Sequence, residues 1–469
     1  MRSITNNART CNRGFKRIAE SFLAADGLPF ADVLSADRIE RIFAEHDNLF
    51  GMDAIYSTPR VLWAFLGQTL HDGKEASCES AVAQIAVCCS QEGRTPPTAD
   101  TGDYCRARAK LSESALRQLF TQQADELQQQ IDESYLWKGR HAKLVDGFTF
   151  RMADSVENQA EYPHPKTQKR GVGFPIARAC AVISLATAAV VNLTVGPYAG
   201  KETSELALLR QMLDSFDEGD LFVADRYFCS FMMIALLLGR GVDTCARMHQ
   251  LRHVDFRRGK RLGRYDHLIE WSKPKQRPKW MNESTYASMP DVITLRETRI
   301  ELKRPGRKTQ TMTVVTTLLD PVEYSKRDIA ALYGFRWNAE LDIRSIKQTL
   351  GLEFVNCKSP AMVRRHLWTT LLAYNLIRAI AARAAKIHEL QPREISFTAV
   401  CQHVLSSWML AATGHCETET IRLLYKQIAT CRVGNRPGRI EPRVLKRRRH
   451  GYKLMQAPRA ELKAELMKK

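Results

Sequence analysis

The sequence predicts an α/β protein: a mixed-sheet core interrupted by a β-rich insertion and flanked by helical N-terminal and C-terminal regions. Three observations predict it. Strand-like and helix-like patterns alternate from about His141 to Gly241. A basic, proline-punctuated stretch then breaks the alternation, and three- and four-residue apolar spacing dominates both ends. The expected divisions are a helical region at 1–135, a core in two parts at 136–246 and 312–358, the insertion at 247–311, a helical region at 359–430 and a basic tail at 431–469.

The elements follow in order. Pro59–Leu70, Cys78–Ser90 and Ser112–Gln130 space their apolar residues as helices do, with Gly or Pro between them. Arg106, Arg108 and Lys110 cluster before the last of these, a spacing that suits a solvated helix face better than phosphate contact. KLVDGFTF alternates as a strand, and ARACAVISLATAAVVNLTVGPY reads as two more. TSELALLRQMLDSF is helical with Thr203 or Ser204 as N-cap. LFVAD is a short apolar strand bounded by Gly219–Asp220, and an apolar helix, FCSFMMIALLLGRG, follows. Beyond the insertion MTVVTTLL resumes a buried strand, and Ser325 with Asp328 comes close to a capping box.

Composition narrows the function. The chain has 469 residues and a formal net charge of +19. Arg247–Lys308 holds 17 basic and 7 acidic residues, and Arg432–Lys469 holds 13 and 3, so these two segments carry essentially the whole excess. Charge spread for solubility would not cluster this way, and a polyanionic partner fits. The twelve cysteines show no CxxC spacing, which points to free thiols in a reducing cytoplasm. No signal peptide is read at the N-terminus, and Ala179–Val191 is too short to span a bilayer.

The chemistry-bearing positions are acidic. Asp146 closes KLVD and Asp225 closes LFVAD, and carboxyl ends of strands are where functional groups gather in an α/β sheet. Each aspartate alone is more often a turn former. In YGFRWNAELDIRSIK, Tyr333, Arg336, Glu340 and Lys347 fall within roughly a 60° arc of one helical face. Such a stripe suits a phosphodiester, with Glu340 completing a metal site and the cations holding phosphate oxygens. A solvated face with an Arg336/Glu340 pair is the plainer alternative. Trp271 and Trp280 lie in the basic insertion, where an exposed ring stacks on an unpaired base, although tryptophan is buried by default.

The Y-x2-R-x3-E-x6-K pattern formed by Tyr333, Arg336, Glu340 and Lys347 resembles the signature of the insertion-sequence-four family of DDE transposases. LVDG resembles its first-aspartate motif, GDLFVADRYF its second, and IEPRVLKRRRHGYKLM its basic C-terminal run. The resemblance spans roughly residues 100–460. It implies an RNase H-like core, two Mg²⁺ ions (with Mn²⁺ as a substitute), and cut-and-paste strand transfer through a DNA hairpin. By the same match Asp146, Asp225 and Glu340 become metal ligands, and Tyr333, Arg336 and Lys347 become DNA contacts. The partners it implies are double-stranded DNA with terminal inverted repeats, target DNA and a second copy of the chain, in the cytoplasm at the nucleoid. The alternatives are another RNase H-like nuclease or a catalytically inactive DNA-binding protein.

Overall fold

A computed structural model describes Leu34, residues 36–434 and residues 455–468, apart from 52–53, 72, 74, 92, 170, 303–308 and 413–417. Most of the basic run IEPRVLKRRRHGYKLM therefore lies outside the described residues.

Five helices open the described chain: α1 (Ala36–Glu45), α2 (Thr58–Leu70), α3 (Cys78–Gln91), α4 (Gly102–Lys110) and α5 (Glu113–Gln129). The core follows as β1 (Ala142–Met152), α6 (Val156–Glu161), β2 (Ile176–Ser184), β3 (Val190–Pro197), α7 (Glu205–Arg210), β4 (Leu221–Ala224), α8 (Phe231–Leu238) and β5 (Asp243–Arg247). Strands β1, β2 and β3 form an antiparallel meander, and β4 and β5 add in parallel beside β1. The order β3-β2-β1-β4-β5 is an RNase H-like arrangement. Alternation sets the faces. Leu144, Phe148 and Phe150 of β1 join one core, whereas Val145 joins the core under α7 and α8.

The insertion is not a detached module. It contributes β6 (Lys260–Gly263), β7 (Asp266–Ser272), a short helix α9 (Glu283–Ser288) and β8 (Val292–Leu302), and β9 (Gln310–Thr316) returns to the core. β9 pairs with both β5 and β8, so core and insertion share one ten-stranded sheet. Trp271, Met281, Met289, Ile293 and Leu295 of the segment pack in one buried cluster with Phe231, Met232 and Ile234 of α8. It is pinned by buried Arg296, which donates to both oxygens of Asp266 at 2.9 and 2.6 Å.

The chain then forms α10 (Lys326–Phe335), α11 (Trp337–Arg344), a π-turn at Ser345–Thr349 and β10 (Phe354–Val355). The capping box at α10 is complete. Ser325 Oγ accepts from Asp328 N at 3.2 Å, and Asp328 Oδ2 accepts from Ser325 N at 3.0 Å. Ser359 caps the long helix α12 (Pro360–Ile387), which is followed by α13 (Phe397–Ala412), α14 (Thr418–Thr430) and α15 (Arg459–Met467). Helix α12 packs on the N-terminal helices: Trp368 lies against Phe120 with ring centres 5.6 Å apart, and Arg364 pairs with Glu113 at 2.8 Å. Leu367, Leu371 and Leu372 are fully buried there, each contributing ~1.5–3 kcal/mol relative to exposure. No described helix is long and apolar enough to cross a membrane.

Two expectations change. Asp146 does not close its strand: β2 pairs with β1 from Lys143 to Arg151, so the strand runs on past it. What ends at Val145 is the pairing with β4. Nor do Tyr333 to Lys347 ride one uniform α-helix. Bonds from Arg336 N to Tyr333 O and from Ala339 N to Arg336 O, both 3.1 Å, tighten the chain around Arg336, and the π-turn widens it at Lys347.

Where α12 meets the N-terminal helices, His366 faces the ring of Phe65 at 5.7 Å. Burial, with Arg108 nearby, holds its pKa down to about 4 from 6.5. A depressed histidine contributes stability that is present above 6.5 and is lost as pH falls toward 4, because only the unfolded chain binds the proton there. His366→Gln should flatten that loss. Denaturant unfolding of both proteins across the window checks it; parallel curves would assign the acid loss to other groups.

Candidate active site

Strand register brings the two aspartates together. Val145 pairs with Ala224, the last such pair of β1 and β4, and Asp146 and Asp225 are the next residue on each chain. Asp146 Oδ1 accepts from Gly147 N at 2.9 Å, and Asp225 Oδ1 accepts from Tyr227 N at 2.7 Å. Burial pushes the Asp146 carboxyl up to about 7; Arg336 and the Gly147 N–H oppose this, and Asp225 and Glu340 add to it. The last two contributions place both other acids in its electrostatic neighbourhood.

Glu340 comes from the first turn of α11. Arg336 joins it to Asp146: one guanidinium nitrogen donates to Glu340, and another lies 3.5 Å from Asp146 Oδ2. Among the described residues no three His, Cys, Asp or Glu side chains stand close enough together to hold a metal ion. Like charges repel, and Arg336 occupies the space between two of the three acids. The donor set nevertheless suits a hard divalent cation. It offers carboxylate oxygens only, and burial of Asp146 leaves its charge undercompensated.

The remaining expected residues are placed as follows. Tyr333 is 4% exposed, and burial raises its hydroxyl pKa while the charge of Arg336 opposes this. Lys347 is half-buried on the π-turn. Trp271 is 5% exposed, donates from Nε1 to Glu297 Oε1 at 2.9 Å and carries the Arg252 guanidinium 3.6 Å from its ring centre. It is buried in the cluster that the insertion shares with α8, which corrects the expectation of an exposed ring there. Trp280 is 37% exposed, beneath Arg210 at 4.0 Å, and lines a cavity of about 390 Å³ with Arg178, Tyr198 and Thr203.

Sequence reasoning missed two features. Glu205 lies against Gly147: a Cβ there would fall 2.1 Å from Glu205 Cδ. Asp342, two residues after Glu340, is 1% exposed between Arg378 and Arg393 at 2.8 and 2.9 Å. Both depend on long-range packing, and no spacing in the sequence signals either.

The family model described as "Transposase DDE domain" matches residues 137–376. Over 434 residues the chain is 24% identical to the transposase InsG for insertion sequence element IS4 of Escherichia coli (strain K12), covering 90% of this chain and 92% of that protein. It is also 28% identical over 142 residues to the putative transposase InsZ of Escherichia coli (strain K12), covering 29% of this chain and 46% of that protein. A cryo-EM structure of the piggyBac transposase synaptic complex with hairpin DNA aligns with a TM-score of 0.43 and 9% identity, over 90% of this chain and 86% of that one. With a family match over half its length, on a mixed sheet whose two aspartates share a register, this chain belongs to the transposase DDE domain family and is a metal-dependent DNA transposase.

Proposed function

We propose that Asp146, Asp225 and Glu340 hold the divalent ions, Mg²⁺ by preference and Mn²⁺ as a substitute. The reaction is then cut-and-paste excision at insertion-sequence ends through a DNA hairpin. The observation that carries this is the matched register of the two aspartates, with Arg336 reaching from Asp146 to Glu340. When bound, two such ions neutralise the attacking and leaving oxygens of an in-line phosphoryl displacement. Arg336 is a planar fork that can exchange its carboxylate partners for two phosphate oxygens, and Lys347 adds a point charge farther along the same stretch. Tyr333 supports Arg336 from the interior.

The same reading assigns DNA binding to the helical region 1–135, catalysis to 136–246 and 312–358, and hairpin handling to the basic insertion 247–311. The substrate is double-stranded DNA with terminal inverted repeats, and two copies of the chain act on a pair of ends at the nucleoid. Incubating the purified chain with DNA carrying its flanking inverted repeats tests this: cleavage should require Mg²⁺ or Mn²⁺ and stop with chelator. Binding without cleavage would favour the inactive DNA-binding protein.

Two results should accompany it. A tail of +10 neutralises several phosphates, and each one lost reduces the slope of log K against log[salt] by about 0.9. Deleting residues 432–469 should flatten the slope, and an unchanged slope would take the tail off the DNA. Trp280→Ala should nick normally but form or resolve hairpins poorly, since a stacked base recovers ~1–3 kcal/mol. Trp271→Ala should lower stability instead. Normal hairpin kinetics in the Trp280 variant would make that ring structural.

A further inference from the structure

On its β4 side, β1 has partners in two separate stretches. It pairs with β4 over Ala142–Val145 and with β10 at Arg151–Met152, so residues 146–150 border a gap in the sheet. Asp146 lies at the start of that gap, and Asp225 leaves β4 beside it. Successive residues point to opposite faces, so Asp146 shares the side of Leu144 and Phe148, and Gly147 shares that of Val145. Helix α7 packs on that second side, with Leu208 and Leu209 in the same core as Val145.

Glu205, the first residue of α7, directs its carboxyl onto Gly147. A Cβ at position 147 would meet Glu205 Cδ at 2.1 Å and Oε1 at 2.5 Å, so the missing side chain is the cradle that admits this acid against β1. The carboxyl is half-buried, and among the described residues it has no hydrogen bond and no ion pair within 4 Å. The charge of Arg178 reaches it, but that guanidinium donates to Thr203 O at 3.1 Å and lies over Tyr198 at 4.6 Å. Burial raises the Glu205 pKa, and the charge of Asp225 raises it further, so the two acids share one electrostatic neighbourhood. Asp146, Asp225 and Glu340 each have a donor in contact; Glu205 has a position and no donor.

We propose that Glu205 is a fourth carboxylate of the metal-binding cleft, entering through the sheet gap from the face opposite Asp146 and helping Asp225 to hold a divalent cation. The proposal rests on the assignment of Asp146, Asp225 and Glu340 made above. A half-buried acid without a counter-ion is costly to keep, and a cation shared with Asp225 would offset that cost. A plain helix-end acid would need neither the glycine cradle nor a place at the gap.

The test uses the full chain without DNA and Mn²⁺ alone as the probe, with binding followed by calorimetry and electron paramagnetic resonance. Glu205→Gln is expected to weaken Mn²⁺ binding by about tenfold and to raise the Mg²⁺ needed for half-maximal cleavage by a similar factor. Glu205→Asp, which keeps the charge, should recover part of both, and melting temperatures should stay close to wild type. Unchanged Mn²⁺ affinity and Mg²⁺ requirement in E205Q overturn the proposal, as does a lowered melting temperature with Mn²⁺ binding intact. If E205Q does not fold, Glu205→Ala against Glu205→Asp carries the same comparison, and equal affinities overturn it. Asp225→Asn separates the two levels. Loss of Mn²⁺ binding in D225N but not in E205Q removes Glu205 alone, and retention in both removes the whole site.

Discussion

Replacing Asp146 or Asp225 with Asn, or Glu340 with Gln, should reduce DNA cleavage by about a thousandfold or more while leaving DNA affinity nearly unchanged. The magnitude follows from the role. Each carboxylate contributes to a site worth several kcal/mol to the transition state, and roughly 4 kcal/mol corresponds to a thousandfold in rate. DNA affinity is spared because it comes from the basic segments, which none of these changes touches. Stability should part company with activity at Asp146. The fold raises its pKa to about 7 because burial disfavours the charged form, so the neutral amide should melt no lower than wild type above that pH. Plasmid nicking assays with the folded variants decide the matter, and a variant that cuts at the wild-type rate removes its residue from the site.

The strands and caps were legible where the signal is local. LFVA is four buried residues bounded by Gly219, whose φ of +87° suits glycine, and the Ser325–Asp328 box is complete within four residues. The end of KLVD was not legible. Val145 is the last residue of β1 to pair with β4, but β2 continues, and no local pattern tells a residue which of two neighbours will stop. Asp146 therefore reached the expected place for a different reason. The tightening at Arg336 and the π-turn are likewise departures that a helical wheel drawn on uniform geometry cannot show.

Trp271 shows how composition misleads. A segment of +10 with prolines looks too polar to bury a large ring, but some of its charges are themselves buried and paired, Arg296 with Asp266 and Glu297 with the Trp271 Nε1. Pairing of β7 with β8 sets Trp271 opposite Ile293, and Met281 and Met289 complete the pocket. Net charge carries no information about that pairing. Glu205 carried less signal still, since Ser204 followed by an acid reads as an ordinary helix start.

Asp342 should prove the most costly single acid to remove from the fold. Its two oxygens take Arg378 Nη2 at 2.8 Å and Arg393 Nη1 at 2.9 Å. Arg378 also donates to the Tyr374 hydroxyl at 2.9 Å, which in turn donates to Ala188 O. Arg393 donates to Leu185 O and, at 2.8 Å, to Ser184 O. The network thus ties α11 to α12 and to the turn between β2 and β3, from the side opposite Glu340. Asp342→Ala leaves two guanidinium groups facing each other with no counter-charge, a loss of ~3–5 kcal/mol for a broken buried pair. Asp342→Asn keeps the hydrogen-bonding shape without the charge and should lose less. Because α11 carries Glu340, cleavage should fall in D342A even at temperatures where it remains folded, and D342N should recover part of it. Denaturant unfolding and cleavage rates, measured on both variants, check the two halves separately. A D342A protein within about 0.5 kcal/mol of wild type, the range of an ordinary surface change, would mean the network does not hold the helix.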